Sequence, residues 1–335
     1  MIAEDGVRGL TSNPTIFQKA IAASDAYDDI ILNASPSESD ASVLERIMVR
    51  DLRAACDELR PVYERTNGAD GYASIEVDPI LAHDTQGQIT QAKRLWNAVG
   101  RPNLMVKIPA TRAGIPAIEQ SLADGSNVNV TLLFSVARYR EVVDAFLRAL
   151  ERRVDAGQPV HRVASVASFF VSRVDTKLDP LLDVLPNSLR GAAGSLRGEI
   201  GIANAKLAYE EWERIFDSGR WKALVLEGAR PQRLLWGSTS PKDPAYSDTY
   251  YVEELIGRDT VDTMTLDGFR AYLDHGEPEQ RLDKDRELAH EQMTELTHLQ
   301  IDLANITDEL EDEGVRKFVD SYRGSLKAIS EKRRI

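Results

Sequence analysis

The sequence predicts an α/β protein built on a parallel sheet. Short β-rich runs alternate with longer helical patterns from residue 7 to residue 264, as expected for successive βα units rather than hairpins. Polar side chains stand near the carboxyl ends of several strands, and no GxGxxG or GxxxxGK phosphate-binding motif occurs. These observations favour a (β/α)8 barrel, whose functional residues come from the strand ends, over an open doubly wound sheet.

Seven segments have the composition of strands. They span residues 7–14, 72–78, 103–110, 127–134, 162–171, 233–240 and 258–264. Because a (β/α)8 TIM barrel needs eight strands, we expect such a barrel with its first strand missing from this chain. An open doubly wound sheet of seven strands is the alternative.

Helices are expected between the strands. Apolar residues at three- and four-residue spacing predict them at 89–99, 115–125 and 137–154. The insert at 172–230 is expected to carry a pair of helices, with 207–216 the clearest member. The polar run 34–42 is interpreted as a loop ending in a helix N-cap. We expect one domain over residues 1–335, with a helical segment at 279–335 packing on the barrel.

Composition limits the class of function. The net charge of −13 argues against nucleic acid or an anionic membrane as a partner, whereas a few basic side chains can still bind a small anion. Cys56 cannot form an internal disulfide, and the five histidines show no spacing typical of metal ligands. No stretch is long and apolar enough to span a bilayer, and no signal pattern begins the chain. We therefore expect a cytoplasmic enzyme without a metal.

Several strands carry polar or aromatic residues that should share a face. Side chains two residues apart on a strand point the same way. This places together Thr11 with Asn13, Ser74 with Glu76 and Asp78, Met105 with Lys107, Asn129 with Thr131, and Ser168 with Phe170. A buried polar group without a partner costs roughly 1 to 3 kcal/mol, so convergence of these groups at one rim is the expected arrangement.

Lys107 is the most informative of these residues. It lies between Val106 and Ile108 in the run NLMVKIPAT. In one interpretation its stem packs while its ammonium reaches solvent or a carboxylate. In the other it is desolvated, so that a neutral amine attacks a ketone and forms a Schiff base that withdraws electrons from a neighbouring carbon–carbon bond.

Schiff-base chemistry also needs groups that move protons. Glu76, on a neighbouring strand, could hold with Thr131 the water that carries protons while the imine forms. The alternative is that Glu76 only neutralises Lys107. Asp78 is interpreted as a strand-end cap.

The successive segments resemble one enzyme family. GLTSNPTIFQKAI, ASIEVDP, NLMVKIPAT, NVNVTLLFS and ASFFVSRVD, which begin at residues 9, 73, 103, 127 and 167, are similar in order to the signature segments of transaldolase. The resemblance implies a (β/α)8 barrel that transfers a dihydroxyacetone unit reversibly from sedoheptulose 7-phosphate or fructose 6-phosphate to glyceraldehyde 3-phosphate or erythrose 4-phosphate. It also implies a place in the non-oxidative pentose phosphate pathway and no cofactor.

The resemblance also implies roles for individual residues. Lys107 matches the Schiff-base lysine, and Glu76 and Thr131 match the pair that positions the catalytic water. Positions lining the dihydroxyacetone site are matched by Thr11, Asn13, Asn129, Ser168 and Phe170. Arg173 matches a phosphate-binding arginine, and the segment WGSTSPKDP supplies Ser238 and Lys242, where some branches have arginine instead of this lysine.

One departure concerns the beginning of the chain. The family's first strand and its catalytic aspartate should precede GVRGLTSN, before which only six residues stand. We expect MIAEDGVRG to be the end of the helix that follows that strand, with Gly6 as its C-cap, and the reading frame to continue upstream. Turnover would fall without this aspartate, although Schiff-base formation could persist.

Two other functions remain open. The chain could be a fructose-6-phosphate-type aldolase, a lyase, although those enzymes resemble a shorter barrel. It could also be a truncated, inactive barrel. Small sugar phosphates are the expected partners, and a homo-oligomer is compatible with the sequence.

Overall fold

Seven strands form one sheet in the order in which they occur in the chain. The structure is a computed structural model that describes residues 1–334. The strands are β1 (Gly9–Thr11), β2 (Tyr72–Glu76), β3 (Leu104–Pro109), β4 (Val128–Leu133), β5 (Ser165–Phe170), β6 (Arg233–Gly237) and β7 (Thr260–Asp262). The pairs β1–β2, β2–β3, β5–β6 and β6–β7 are parallel.

The strand order decides between the two expected sheets. A doubly wound sheet reverses its order at a switch point, whereas the strands of a βα barrel follow one another without reversal. The observed order β1 to β7 is sequential, so the doubly wound alternative is wrong and the barrel-type α/β fold with seven of eight strands is confirmed. All seven predicted strands are present, each shorter than its apolar run.

Fourteen α-helices are found in residues 1–334. Those before β5 are α1 (Pro14–Ala23), α2 (Asp28–Leu32), α3 (Asp40–Arg65), α4 (Thr85–Val99), α5 (Gly114–Ala123) and α6 (Val136–Asp155). Those after β5 are α7 (Ser172–Asp183), α8 (Arg190–Leu196), α9 (Ile200–Phe216), α10 (Gly219–Leu226), α11 (Tyr250–Glu254), α12 (Leu266–His275), α13 (Arg286–His298) and α14 (Leu303–Lys332). Short 3₁₀ turns occur at Pro79–Leu81 and Asn187–Leu189.

Most helix predictions are confirmed. α4, α5 and α6 lie at the three predicted positions, and α3 begins after an N-cap at Ser39, whose Oγ accepts from the Ser42 amide at 3.2 Å. The tail is helical in α13 and α14. The prediction of two helices in the insert is wrong, because α7 to α10 are four. Pro180 within α7 and the glycines of α8 weaken the local pattern that would have shown them.

The beginning of the chain forms a single turn. The Met1 carbonyl accepts from the amides of Asp5 and Val7 at 3.0 and 3.3 Å, and Gly6 adopts a φ of 74°. A glycine in this left-handed conformation is typical after a helical turn. No α-helix is assigned to residues 1–8, so the expected helix end is present only as this turn.

The chain packs as two compact units. Unit one contains residues 1–129, 148–165 and the chain from Gly314 onward; unit two contains residues 130–147 and 166–313. Large buried side chains of unit one include Ile75, Leu95, Leu104 and Ile47, and those of unit two include Trp236, Tyr139, Tyr251 and Phe169. The expectation of one domain remains a prediction. No helix of residues 1–334 is long and apolar enough to cross a bilayer.

Candidate active site

Lys107 and Glu76 form a buried ion pair in unit one. They lie directly opposite each other in the parallel register of β2 and β3. The Lys107 Nζ is 3.3 Å from Glu76 Oε2, and the side chains are only 6% and 4% exposed. The lysine therefore does not reach solvent, and its ammonium lies against a carboxylate, which is one of the two surroundings that the first interpretation allowed. The catalytic interpretation of Lys107 stays a prediction.

A polar network surrounds this pair. Lys107 Nζ donates to the Ser12 carbonyl at 3.2 Å, and the Ser12 hydroxyl donates to the Ser74 carbonyl at 2.8 Å. The Asn129 amide nitrogen donates to Ser74 Oγ at 3.0 Å. Glu76 ends β2 and Lys107 lies in the second half of β3, whereas Ser74 and Asn129 lie further from the carboxyl ends of β2 and β4. The structure therefore brings Lys107, Glu76 and Asn129 into one network, although not all of them at the carboxyl rim that the sequence predicted.

The carboxyl of Glu76 is placed to exchange protons. Burial raises its pKa, and the charge of Lys107 opposes that rise. Although Oε2 is in ion-pair contact with Lys107, it makes no aligned hydrogen bond within residues 1–334. A buried acceptor with a free lone pair is a site for a water or a substrate hydroxyl.

A small cavity adjoins Glu76 inside unit one. Its volume is about 10 Å³, which is room for about one water molecule. Ser12, Asn13 and Glu76 line it together with Tyr322 and Ser325 of α14. The cavity is too small for a sugar, so it could hold a water beside Glu76 but not the substrate.

Asp78 has a different role from the one expected. Its side chain makes no cap hydrogen bond at the 3₁₀ turn that follows β2. Instead its Oδ2 accepts from the Tyr322 hydroxyl at 3.1 Å, while its amide donates to Gln91 Oε1 at 2.7 Å. The interpretation as a strand-end cap is therefore wrong, because the carboxylate holds α14.

Thr11 and Asn13 flank Ser12 on the segment that leaves β1. Thr11 is half-buried, and its hydroxyl lies 3.5 Å from the Ser12 carbonyl. Asn13 is the N-cap of α1, with its Oδ1 accepting from the Ile16 amide at 2.9 Å. The amide nitrogen of Asn13 has no hydrogen bond to residues 1–334 and is left for another acceptor.

Thr131 lies on β4, in the part of that strand that belongs to unit two. It is fully buried, and its hydroxyl makes no hydrogen bond within the described chain. The next residue, Leu132, has a φ of 55°, which is a rare and strained conformation for a bulky residue. Strain of this kind typically costs about 1 to 3 kcal/mol and clusters at functional sites.

Unit two also places two cations close together. The Arg173 guanidinium lies 5.2 Å from the centre of the Phe170 ring, which packs in turn against Phe134 at 5.2 Å between centroids. Burial lowers the pKa of Arg173. Burial also lowers the pKa of Lys242, and the positive charge of Arg173 lowers it further. Two like charges held together form a site for an anion.

Ser168 and Ser238 are the remaining candidate-site residues predicted from the sequence. Ser168 is buried on β5, and Ser238 follows β6 directly. The Ser238 hydroxyl lies 3.0 Å from that of Ser172, and Ser238 adopts a φ of 55°. Candidate residues of unit two thus gather at the ends of β5 and β6.

No group of three or more metal-binding side chains occurs in the part of the chain that is described. The sequence model of the family described as transaldolase/fructose-6-phosphate aldolase matches residues 1–329. This chain belongs to that family.

Curated relatives named transaldolase support the assignment to the transaldolase/fructose-6-phosphate aldolase family. That of Trichodesmium erythraeum is 44% identical over 340 residues, covering 99% of this chain and 90% of the relative. Those of Parafrankia sp. and Thermobifida fusca are 48% and 47% identical, covering 97% and 99% of this chain and 88% and 90% of the relatives. The predicted family and the enzyme class, a transferase, are confirmed.

Three residues that contact candidate-site residues were not predicted from the sequence. Ser12 contacts Lys107 through its main-chain carbonyl, which no side-chain pattern reveals. Tyr322 lies far along the chain in an ordinary amphipathic helix, and its contact with Asp78 depends on folding. Ser172 could have been noticed, because it lies beside Arg173 at the beginning of α7.

Proposed function

We propose that this chain is a transaldolase that transfers a dihydroxyacetone unit between sugar phosphates through a Schiff base on Lys107. The observation that supports this most directly is the buried contact of Lys107 with Glu76 and the Ser12 carbonyl. A buried lysine in contact with a carboxyl has a proton acceptor beside the nitrogen that would attack the ketone. The names of the family relatives agree with this activity.

Glu76 is the proposed proton carrier while the imine forms. The Lys107 nitrogen adds to the ketose carbonyl at C2, and the resulting carbinolamine must lose its hydroxyl as water. Because burial raises the pKa of Glu76, its carboxyl holds a proton more readily than an ordinary glutamate does, so it can give that hydroxyl a proton and later take one back. Thr131, whose hydroxyl is free within the described chain, is the proposed second partner for the catalytic water.

The iminium then serves as the electron sink. When the C3–C4 bond breaks, its electron pair moves to the iminium nitrogen, giving an enamine on Lys107, and the C4 hydroxyl loses its proton as the aldose is released. In the reverse direction the enamine carbon attacks the aldehyde of the acceptor. We propose that Thr11, Asn13, Asn129, Ser168 and Phe170 line the site of the three-carbon unit.

The phosphate is proposed to bind in unit two. Arg173, Lys242 and Ser238 provide two cations and a hydroxyl, and a guanidinium can bind phosphate with two parallel hydrogen bonds. We also propose a cytoplasmic enzyme in the pentose phosphate pathway, without a nucleic acid partner. The acidic balance of the chain argues against a nucleic acid partner, and the family to which the chain belongs supports the pathway.

Borohydride trapping tests the proposed function. Incubation with fructose 6-phosphate followed by reduction should give one stable adduct, which peptide mass analysis locates on Lys107. Lys107→Arg should give none, because a guanidinium is not neutral in a protein and cannot form an imine. Lys206→Arg is the matched control, since Lys206 is equally buried but lies on α9 near Glu254.

The same assay separates the related activities. Adding erythrose 4-phosphate should release sedoheptulose 7-phosphate from a transaldolase, whereas a lyase would release free dihydroxyacetone. An adduct on another lysine, or none in the unaltered chain, would show that the proposed mechanism is wrong.

A further inference from the structure

The loop after β6 carries the proposed phosphate ligands Ser238 and Lys242. Residues 238–249, called the 238–249 loop below, contain no helix or strand before α11 begins at Tyr250. Most of the Lys242 side chain is exposed although its ammonium is partly desolvated, and its positive charge lies near that of Arg173. Because like charges repel, an unrestrained loop would carry Lys242 away from Arg173 in the absence of an anion.

Arg197 links this loop to the rest of unit two by hydrogen bonds. Its Nη2 donates to Asp243 Oδ2 at 2.8 Å, and its Nη1 donates to the Tyr246 hydroxyl at 3.2 Å. Its Nε donates to Asp183 Oδ1 at 3.2 Å. One half-buried guanidinium therefore bridges two positions of the loop and the last residue of α7, and Asp243 directly follows Lys242.

Tyr246 makes a second hydrogen bond from the loop to α7. Its hydroxyl donates to Asp179 Oδ2 at 2.8 Å, while Asp179 Oδ1 accepts from the Gly198 amide at 3.0 Å. Gly198 has a φ of 77°, and a Cβ at this position would lie 2.6 Å from the tyrosine ring. The Tyr246 ring therefore packs against the main chain at Gly198, where the side chain of any other residue would clash with the ring.

Two of these hydrogen bonds end on α7, at Asp179 and Asp183, and α7 also carries Arg173 in its first turn. Asp179 and Asp183 follow Arg173 on that helix, so the separation between Arg173 and the loop is set by one rigid element. Burial and the neighbouring acids raise the pKa of Tyr246, which keeps its hydroxyl protonated as a donor to Asp179.

We propose that Arg197 and Tyr246 are positioning residues that hold Lys242 beside Arg173, and that they set the preference for phosphorylated over unphosphorylated ketoses. This inference rests on the proposed function, because it assumes that Lys242 and Arg173 bind the substrate phosphate. Neither residue is assigned a contact with the reacting carbons. Holding two cations at a fixed separation before the anion arrives removes the ordering cost from the binding step.

Half-saturating ketose concentrations for borohydride trapping test the proposal. Arg197→Gln should raise the value for fructose 6-phosphate about tenfold and leave that for dihydroxyacetone within about twofold. Arg197→Lys should fall between, because a lysine keeps one ion pair but not the bridge. Arg220→Gln, which breaks the exposed ion pair with Asp144 in the same unit, is the matched control and should change neither value.

Tyr246→Phe is a smaller change than Arg197→Gln, and it tests the proposal if Arg197→Gln does not fold. It removes only the hydroxyl between Arg197 and Asp179, and we expect the same selective loss at about threefold. Equal changes for both ketoses, or no change for either, would show that these residues are merely structural.

A double variant shows whether Arg197 acts through Lys242. If it does, Arg197→Gln combined with Lys242→Met should bind fructose 6-phosphate no more weakly than Lys242→Met alone. Additive losses would overturn the proposal. Failure of the unaltered chain to form any adduct is a separate outcome, because it would contradict the proposed function itself.

Discussion

Asn13 combines two roles that can be separated by substitution. Its Oδ1 caps α1, and its amide nitrogen is proposed to bind the ketose. Asp is as good an N-cap as Asn but has no amide donor, whereas Ala provides neither. We expect Asn13→Ala to lower the free energy of unfolding by about 1 kcal/mol and Asn13→Asp to keep it within about 0.5 kcal/mol.

Both Asn13 variants should nevertheless raise the half-saturating ketose concentration about tenfold, because both lose the amide donor. Denaturant unfolding and borohydride trapping measure the two effects. Ser39→Ala and Ser39→Asp at the N-cap of α3 are the controls: the first should lower stability, the second should keep it, and neither should change the ketose affinity. An Asn13→Asp variant with unaltered ketose affinity would mean that Asn13 is only a cap.

At the residue scale, the sequence predicted the polar strand-end residues because their pattern is local. A lysine between Val106 and Ile108 and a glutamate in the strand before it were sufficient to propose Lys107 and Glu76. Their contact follows from register, in which Glu76 pairs with Lys107. The Ser12 carbonyl could not be predicted, since a main-chain acceptor looks the same at every residue.

At the scale of elements, β6 and β7 carry an unusual buried pair. Trp236 and Asp262 are register partners, yet Trp236 Nε1 and Asp262 Oδ2 have no hydrogen bond within residues 1–334. The other carboxylate oxygen accepts from the Thr239 hydroxyl at 3.1 Å. Although the residue as a whole is only half-buried, Oδ2 is inaccessible, and burial raises the pKa of Asp262 to about 7.

Asp262→Asn should therefore stabilise the protein in a pH-dependent way. The folded pKa is raised above the unfolded one, so the carboxyl destabilises the fold increasingly as pH rises from about 4 through 7. The stability gained by substitution at pH 8.5 should exceed that at pH 5.5 by roughly 1 to 3 kcal/mol. Denaturant unfolding at the two pH values measures this difference, and an equal effect at both would contradict the raised pKa.

Elements whose apolar residues recur at a regular spacing were predictable from the sequence, and irregular elements were not. The spacing of apolar residues identified α6 almost to its ends. Nothing in the run VNVTLL indicates that Leu132 adopts a left-handed conformation, because propensity assigns leucine to the ordinary regions. The packing around Leu132 must impose this conformation, and the sequence of one strand does not reveal that packing.

At the scale of the whole molecule, buried acids control the pH dependence of stability. Burial raises the pKa of Asp175, Asp262 and Glu311 to about 7, and all three belong to unit two. Each favours the fold below the unfolded pKa and loses that contribution as pH rises through 7. In the opposite sense, Arg214 and Arg140 lower the pKa of Glu211 to about 2, so its contribution is lost as pH falls below about 4.

We therefore expect the midpoint of thermal unfolding to be highest near pH 5 to 6 and to decrease by pH 8.5. Scanning calorimetry across this range measures the profile. Asp262→Asn should flatten its alkaline side and leave the acidic side unchanged. A midpoint that keeps rising to pH 8.5 would contradict the assignment of raised pKa values to these acids.

The division into units has a consequence for synthesis on the ribosome. Unit one is discontinuous, because its last segment begins at Gly314, long after Asn129 has emerged. At about 5 to 20 residues per second, roughly 10 to 40 s separate the emergence of Asn129 from that of Tyr322. During that interval Lys107 and Glu76 have been synthesised, whereas Tyr322 and Ser325, which line the cavity beside Glu76, have not. The carboxyl of Glu76 therefore gains these two neighbours late in synthesis, and a nascent chain that has not reached them lacks part of the lining of this cavity.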